Sequence, residues 1–481
     1  MDNKEEVVVD EPVVSENAES AENAERIDFG KGESEPLLEV NNLKKYFPVA
    51  KNFFGKPIKF LKAVDGVSFK IEKGKTLGIV GESGCGKSTM GRSLLRLYEG
   101  VEGEIIFEGQ DVNKLKNREF EKLRPNMQMI FQDPYASLSP RLTVGEIIGE
   151  SARQHKLVDK AGFQDYVLNV MKMCGLQPHY FERYPHEFSG GQRQRICIAR
   201  ALALKPKLVI CDEPVSALDV SIQAQVINML IELREKLGLT YIFISHDLSV
   251  VKHISDNVGV MYLGNIVEYG SKAAIFNNTL HPYTKALFSA VPVPNPHVKM
   301  NRIMLKGDIP SPVNPPKGCK FHTRCEHCME LCARIAPEYR EVEEGHFCAC
   351  HLYNSEEDNE RLLAQAVLNE EAERAAAEKE AKKPWNVVKN KVTETVKKIF
   401  KKKKDEPDGQ SSPENKTDET AEKEAVIPAE TDGEVLSEVA ETAPEAENLP
   451  EEEIKTEEAL PAETVEKSPA KKKKTTKNVE E

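Results

Sequence analysis

One nine-residue stretch constrains this chain more than any other: Gly81-Glu82-Ser83-Gly84-Cys85-Gly86-Lys87-Ser88-Thr89. It follows the apolar run Thr76–Val80, which predicts a short buried strand, and precedes Met90–Leu97, whose apolar residues recur at helical spacing. A glycine-rich turn that ends in Gly-Lys-Ser between a strand and a helix is typical of a phosphate-binding P-loop. The flanking strand and helix argue against an ordinary glycine-rich turn. The sequence therefore predicts a nucleoside triphosphate site.

Each residue type in this P-loop has a chemical reason. Gly81, Gly84 and Gly86 let the backbone turn tightly, so that N–H groups converge on phosphate oxygens at a helix N-terminus. Lys87 can reach the β- and γ-phosphates, and the Ser88 hydroxyl is placed to ligate Mg²⁺. The stretch thus supplies both a phosphate cradle and one metal ligand.

Charge is distributed unevenly along the 481 residues, a length that allows two or three domains. The formal net charge is −13, but both ends of the chain are strongly acidic, so the central part carries a net positive charge. A basic body suits a nucleotide, an anionic membrane surface or nucleic acid, and composition does not choose among these partners.

The sequence contains no sign of a membrane span or an export signal. No apolar run approaches the ~18–20 residues that a spanning helix needs. The N-terminus lacks a basic region followed by an apolar core, so we expect no signal peptide and a protein kept in the cytoplasm. Six of the ten cysteines crowd into Cys319–Cys350. In a reducing compartment, such crowding favours metal binding over disulfides.

Strand and helix patterns alternate after the acidic segment 1–36, which we expect to be disordered. This alternation around a P-loop predicts an α/β fold with a largely parallel sheet and helices on both faces. The strand patterns cover 38–40, 67–71, 103–107, 208–211 and 241–245, and the helical patterns cover 143–174 and 222–236.

The C-terminal third changes character several times. Segment 292–318 is proline-rich, which is typical of an extended connector, and Glu356–Lys383 has the composition of a solvated helix. Residues 385–404 form a basic amphipathic pattern that predicts a helix on an anionic membrane surface; a solvated or partner-docking helix is the alternative. The acidic tail 405–481 is expected to be disordered.

A second set of motifs follows the P-loop in a fixed order. Phe188–Arg193 precedes a helical pattern and lies upstream of the apolar run that ends in Asp212-Glu213. These two stretches resemble the signature motif and Walker B strand of ATP-binding-cassette (ABC) ATPases. Gln132 resembles the Q-loop residue, Ser216–Asp219 the D-loop, and His246 the switch histidine. The resemblance implies an ABC cassette with a parallel-sheet core, an antiparallel β subdomain and a helical signature subdomain.

Residue chemistry and the resemblance together assign roles. Glu213 is placed to orient and deprotonate the attacking water, with His246 and Gln132 sensing the γ-phosphate. Ser88, Gln132 and Asp212 are the predicted Mg²⁺ ligands. Phe47 is the predicted adenine-stacking residue, with Tyr46 as the alternate. The resemblance further implies that the signature turn caps the nucleotide of a partner subunit. The predicted nucleotide-binding set is Phe47, Gly81, Glu82, Ser83, Gly84, Cys85, Gly86, Lys87, Ser88, Thr89, Ser189, Gly190, Gly191, Gln192 and Asp219.

Three further stretches narrow the resemblance: Phe131–Arg141, Arg183–Ser189 and His281–Leu287. They look like the versions found in importers of oligopeptides and dipeptides, closest to the second of the two ATPases of an oligopeptide permease. The family implies a heterodimer with a second ABC ATPase, two membrane permease subunits and an extracytoplasmic peptide-binding protein. It implies a peripheral location on the cytoplasmic side of the cell membrane and no nucleic acid partner. A nickel or other small-solute importer of the same family, and a soluble ABC ATPase, are the alternatives.

The cysteine cluster is the second chemical feature. Cys319, Cys325, Cys332 and Cys350 resemble the C-terminal extension of this family, which in some members holds a [4Fe–4S] cluster. A tetrahedral zinc site with Cys325, Cys328, Cys348 and Cys350 is the rival, and buried thiols without metal are the third interpretation. The predicted domain plan is 1–36, the ATPase domain 37–291, the Pro/Cys-rich extension 292–353, a charged helical segment 354–404 and the tail 405–481.

Overall fold

The computed structural model describes residues 35–52, 55–291 and 302–381. Most of the acidic segment 1–36, the amphipathic pattern 385–404 and the tail 405–481 lie outside these residues, so the predictions made for them stay predictions. Part of the proline-rich connector, 292–301, lies outside them as well.

The described residues form two sheets with helices packed around them. The strands are β1 (Pro36–Lys51), β2 (Pro57–Glu72), β3 (Thr76–Val80), β4 (Val101–Phe107), β5 (Gln110–Asp111), β6 (Met127–Ile130), β7 (Leu208–Asp212), β8 (Thr240–Ile244), β9 (Asn257–Tyr262), β10 (Asn265–Ser271), β11 (Arg340–Glu343) and β12 (His346–Cys348). The helices are α1 (Lys87–Leu94), α2 (Asn117–Leu123), α3 (Pro134–Ser137), α4 (Val144–Gln154), α5 (Phe163–Met173), α6 (Gly190–Leu202), α7 (Val220–Leu237), α8 (Leu248–Ile254), α9 (Lys272–Asn277), α10 (Pro282–Ser289), α11 (Glu330–Arg334) and α12 (Glu356–Ala381).

The main sheet is mixed, with strand order β11-β12-β10-β9-β3-β8-β7-β6. Strands β6, β7, β8, β3 and β9 run parallel, whereas β10, β12 and β11 pair antiparallel at one edge. Every residue of β3, β7 and β8 is buried, as expected for parallel strands covered on both faces. The prediction of an α/β fold is confirmed, as a mixed sheet with helices packed around it.

A second sheet of four strands carries the N-terminal residues, in the order β2-β1-β4-β5. All its pairings are antiparallel. The long pair of β1 and β2 contains several register irregularities, which bend the strands. This sheet has the antiparallel strand direction that the resemblance implies for a β subdomain.

The mostly helical stretch predicted over 143–174 contains two helices, α4 and α5. Thr143 and Glu146 form a capping box that starts α4. Lys156, just beyond α4, has φ 56°, a left-handed conformation that a helix interior does not allow. Helix α5 then begins at Phe163. Within the described residues, no helix combines the length and the apolar character that crossing a bilayer requires.

The C-terminal extension joins the main sheet through β12. Register pairs Glu268 of β10 with Cys348, and Tyr269 with Phe347. Glu268 is fully buried. Its carboxylate accepts hydrogen bonds from the Leu280 and His281 backbone N–H groups at 2.8 and 3.0 Å, and lies 2.9 Å from His346 Nε2. A buried charge is tolerated only with such partners. Helix α12, which matches the predicted charged helix, contacts the extension through Arg334 and Glu370 at 2.6 Å.

Replacing Glu268 with alanine should destabilise the protein by about 3 kcal/mol or more, because three donors in a buried site lose their acceptor. The measurement is the free energy of urea-induced unfolding. Glu232→Ala is the matched control: Glu232 is exposed and pairs with Lys236 on its own helix, so its loss should cost about 0.5 kcal/mol or less. Equal destabilisation of the two variants would show that the buried contacts of Glu268 do not hold the extension to the sheet.

Candidate functional site

The P-loop connects β3 to α1, and its glycines are sterically required. Gly86 has φ 106°, and a Cβ atom there would lie 2.1 Å from the Ala63 carbonyl oxygen. Gly81 has φ 152°, and its Cβ atom would meet the Met261 carbonyl oxygen at the same distance. A side chain at either position would therefore displace the loop from the strands on which it rests.

Lys87 is buried and folds back on the loop that carries it. Its ammonium donates hydrogen bonds to the carbonyl oxygens of Gly81 at 2.9 Å and Glu82 at 3.0 Å. These two acceptors hold the Lys87 ammonium in place at the N-terminus of α1. A phosphate oxygen is a stronger acceptor for an ammonium than a carbonyl, so the lysine is positioned to exchange one for the other.

Ser88 and Asp212 bring a hydroxyl and a carboxylate together below the loop. The Ser88 hydroxyl donates to Asp212 Oδ1 at 2.6 Å, and Arg92 Nη2 lies 3.5 Å from Oδ2. Burial raises the pKa of Asp212, although Ser88 and Arg92 oppose the shift. Hydroxyl and carboxylate oxygens are ligands that Mg²⁺ prefers, so these residues fit the predicted metal.

Glu213 is the meeting point of three strand ends. Gln132 follows β6, Glu213 follows β7 and His246 follows β8. Gln132 Nε2 donates to Glu213 Oε2 at 2.8 Å, and His246 Nδ1 lies 3.4 Å from the same oxygen. Glu213 has φ 46°, a left-handed conformation that is costly for a residue with a side chain. The structure thus brings the three predicted catalytic residues together.

A cavity of about 560 Å³ lies between these groups and the antiparallel sheet. Its wall includes P-loop residues from Ser83 to Thr89, the three residues around Glu213, and Phe47. Phe47 packs edge-to-face on Tyr98 at 5.3 Å, with Lys45 Nζ 4.8 Å from its ring centroid. Tyr46, the alternate, hydrogen-bonds Asp65 and does not line this cavity. The geometry therefore favours Phe47 for an aromatic contact with a ligand.

The signature turn lies elsewhere. Ser189 caps α6 in a capping box with Gln192, and Asp219 precedes α7. Among the described residues that line the P-loop cavity, none of Ser189, Gly190, Gly191, Gln192 or Asp219 is present. A Cβ atom at Gly191 would lie 2.4 Å from the Ile222 side chain, so the turn packs closely on α7. Within a single chain, the signature turn and Asp219 therefore do not line the cavity at the P-loop.

The C-terminal extension also reaches the P-loop, a contact that the sequence patterns do not predict. Arg324 contacts the Glu82 carboxylate at 2.8 and 3.1 Å, and the Glu82 N–H donates to the Tyr283 hydroxyl at 2.9 Å. Pro312 lines the cavity and accepts a hydrogen bond from the Lys62 N–H. Tyr283 lies in the stretch 281–287, whose resemblance to peptide importers is the one sequence feature that could have drawn attention to this contact. No local sequence pattern distinguishes Arg324.

The cysteines of the extension are close but do not form a preassembled ion site. Every pair among Cys319, Cys325, Cys332 and Cys350 is near enough for charge on one to raise the pKa of the other. Burial is the larger cause and raises the pKa of Cys319 to about 12 and that of Cys350 to about 11. Across residues 35–52, 55–291 and 302–381, no group of three or more His, Cys, Asp or Glu side chains is arranged to hold a metal ion.

Three nearby histidines are already engaged in other contacts. His322 Nδ1 lies 2.8 Å from the Cys319 carbonyl oxygen, and His351 Nε2 lies 3.0 Å from that of Ile335. His346 pairs with Glu268. Cys328, which the zinc alternative requires, is exposed, whereas Cys348 is buried within β12. Cys328 lies close enough to Cys332, and Cys350 to Cys348, to raise the pKa of the neighbouring thiol. Both predicted donor sets therefore stay predictions.

Comparison with known proteins identifies the same family as the sequence motifs. Residues 64–216 match the ABC transporter family, and residues 267–332 match the family described as the oligopeptide/dipeptide transporter C-terminal region. The oligopeptide transport ATP-binding protein AppF of Bacillus subtilis is 56% identical over 323 residues, which cover 66% of this chain and 98% of AppF. OppF of Haemophilus influenzae is 53% identical, covering 66% of this chain and 97% of OppF. DppF of Escherichia coli, a dipeptide transport ATP-binding protein, is 49% identical, covering 68% of this chain and 97% of DppF.

These relatives match the chain over nearly their whole length. The chain belongs to the ABC transporter ATP-binding proteins, in the group that carries the oligopeptide/dipeptide transporter C-terminal region.

Proposed function

We propose that this chain binds and hydrolyses ATP and thereby energises an ABC importer of oligopeptides or dipeptides. The observation that carries the proposal is the convergence of Gln132, Glu213 and His246 on the cavity bounded by the P-loop. The names of the relatives, which are oligopeptide and dipeptide transport ATP-binding proteins, support the substrate class.

The P-loop residues hold the phosphates in this proposal. Lys87 exchanges its two carbonyl acceptors for phosphate oxygens, and the N–H groups of the loop complete the cradle. Ser88, Asp212 and Gln132 are the residues that would hold Mg²⁺. When bound, the ion neutralises charge that develops on the phosphate oxygens. Phe47 stacks on the adenine at the far end of the cavity.

Glu213 is the proposed general base. Its Oε2 atom accepts a hydrogen bond from Gln132 and faces His246, so the carboxylate is fixed in direction before the reaction. A carboxylate held in this way can orient a water molecule and take its proton as the water attacks the γ-phosphate. His246, whose side chain is well exposed, contacts the same phosphate from the side opposite Lys87.

A second ABC ATPase completes the site. Ser189, Gly190, Gly191, Gln192 and Asp219 lie outside the P-loop cavity of their own chain. Gly190 and Gly191 start the 13-residue helix α6, and such an N-terminus attracts an anion. We therefore infer a head-to-tail heterodimer in which each signature turn caps the nucleotide of the other subunit.

The permease docks beside Gln132. A cavity of about 200 Å³ there is lined by Leu97, Phe131 and the α6 residue Arg200, among others. Phe131 and Tyr135 are 38% and 64% exposed, large values for aromatic residues. The Arg193 guanidinium lies 4.0 Å from the Tyr135 ring centroid, which ties this surface to the signature helix. Movement at the nucleotide would reach a cytoplasmic helix of the permease through these contacts.

The assembly that we propose contains two membrane permease subunits and an extracytoplasmic peptide-binding protein, with this chain peripheral on the cytoplasmic side of the cell membrane. Segment 385–404 lies outside the described residues, and its contact with anionic lipid stays a proposal. The division into an ATPase domain 37–291 and an extension 292–353 is also a proposal. A nickel importer of the same family is the second candidate. A soluble ABC ATPase is disfavoured by the match of residues 267–332 to the transporter C-terminal region.

For the cysteines, we propose a [4Fe–4S] cluster held by Cys319, Cys325, Cys332 and Cys350. The support is the mutual proximity of the four thiols, each near enough for its charge to raise the pKa of another, and the resemblance of their positions to the C-terminal extension of the family. Four thiolates are the ligand set that such a cluster needs. When bound, the cluster would favour the thiolate form that burial otherwise disfavours.

Glu213→Gln should lower ATP hydrolysis at least about a hundredfold while ATP binding is retained, because the amide keeps the shape and cannot accept the proton. The measurement is ATP hydrolysis by the chain assembled with its partner ATPase and permease, alongside ATP affinity. Glu235→Gln, an exposed carboxamide substitution on α7, is the matched control and should hydrolyse ATP at the wild-type rate.

Hydrolysis by Glu213→Gln at the wild-type rate would refute the base assignment. The same assembled complex decides the substrate class. Peptide presented by the binding protein should stimulate hydrolysis, and Ni²⁺ should not; stimulation by Ni²⁺ alone would assign the nickel alternative.

Anaerobic purification of the chain should yield about four iron and four sulfide per chain. Cys332→Ser should lose this content, whereas the exposed Cys328→Ser should keep it. Metal analysis and visible absorption are the measurements. Stoichiometric zinc without iron would end the iron–sulfur proposal.

A further inference from the structure

An arginine from the C-terminal extension makes a two-point contact with the P-loop. Arg324 Nη1 lies 2.8 Å from Glu82 Oε2, and Nη2 lies 3.1 Å from Oε1. The Arg324 side chain is only 8% exposed. Paired, charge-assisted hydrogen bonds of this geometry fix both direction and distance. The hydrogen bond to Glu82 also raises the pKa of Arg324, which stays positively charged.

Glu82 connects three parts of the molecule at the phosphate site. Its N–H donates to the Tyr283 hydroxyl of α10, and its carbonyl oxygen accepts from Lys87 Nζ. Its carboxylate is held by Arg324. The residue therefore lies in the chain of contacts that runs from the extension to the lysine that meets phosphate.

The segment that carries Arg324, residues 319–325, packs firmly on the ATPase domain. Phe321 is buried and packs on Tyr262 and Tyr283, with ring centroids at 5.3 and 5.4 Å. Lys320 pairs with Asp65 at 2.8 Å and donates to the Leu263 carbonyl oxygen at 3.0 Å. The guanidinium is thus held in position before any ligand arrives.

The charge of Glu82 calls for such a partner. A carboxylate within a phosphate-binding loop repels the phosphates, since like charges at short range in a partly buried site interact strongly. Arg324 neutralises that charge and directs the carboxylate toward the extension.

We propose that Arg324 is a positioning residue for ATP binding: by pairing with Glu82 it sets the shape and charge of the P-loop, so the C-terminal extension controls nucleotide affinity. The proposal rests on the proposed ATPase function. It differs from a simple anchoring role for Arg324, in which the pair would only attach the extension to the domain. In that case, removing the charge of Glu82 from a variant that already lacks Arg324 would not change its affinity for ATP.

The test is a comparison of Arg324→Met with the double variant Glu82→Gln/Arg324→Met in the full-length chain, titrated with Mg-ATP. Loss of one partner of a hydrogen-bonded charge pair should weaken ATP binding about tenfold in R324M. Removal of the stray carboxylate should then restore affinity at least about threefold in the double variant. In the assembled complex, R324M should raise KM for ATP and leave kcat near the wild-type value, because the groups around Glu213 are unchanged.

Arg334→Met is the matched control. Arg334 is another ion-paired arginine of the extension, but its partners are Glu330 and Glu370, so its loss should leave ATP affinity unchanged. If R324M does not fold, Arg324→Lys makes the same comparison, since it keeps the charge and loses the fork, and should bind ATP about threefold more weakly.

Wild-type affinity for ATP in R324M or R324K would overturn the proposal. A double variant that binds ATP as weakly as R324M would overturn it too, because that result is expected if Arg324 only attaches the extension to the domain. Failure of the wild-type chain to bind ATP would instead refute the proposed function. The two failures are therefore distinguishable.

Discussion

The parallel order of β6, β7, β8 and β3 is the constraint on which the rest of the structure depends. Parallel strands end at the same edge of a sheet, and the residues that follow them must meet there. Gln132, Glu213 and His246 follow three of these strands, and the P-loop follows the fourth. Residues more than a hundred positions apart are thus brought within hydrogen-bond range, as Ser88 and Asp212 show at 2.6 Å.

Several backbone conformations at this edge are sterically restricted. Gly81 and Gly86 turn where a Cβ atom would strike backbone carbonyls, and Glu213 holds a left-handed conformation. Such conformations persist only where the surrounding structure enforces them. Buried strands lie on either side of these residues, and Arg324 of the C-terminal extension holds the neighbouring Glu82. The extension is therefore part of the environment of the nucleotide site rather than a separate appendage.

Local sequence patterns predict the elements that carry the site, and their limits have physical reasons. The strand before the P-loop, the helix 222–236 and the strand before Asp212 all appear, because each has a strong apolar pattern and clear flanking residues. The stretch 143–174 is mostly helical, as predicted, and divides into two helices. The point of division could not be predicted, because the left-handed Lys156 between them carries no distinct sequence signal. The pairing of β12 with β10 and the contact of Arg324 with Glu82 join residues far apart in the chain, which periodicity cannot relate.

The cavity beside Lys87 is, in this account, the ATP site. Calorimetric titration of Mg-ATP into the full-length chain and into Lys87→Met tests that assignment directly, with the exposed Lys236→Met as the control. The wild-type and control chains should bind one ATP, and Lys87→Met should bind at least about tenfold more weakly, because a buried ammonium that meets phosphate is lost. Equal affinity of Lys87→Met and wild type would contradict the assignment.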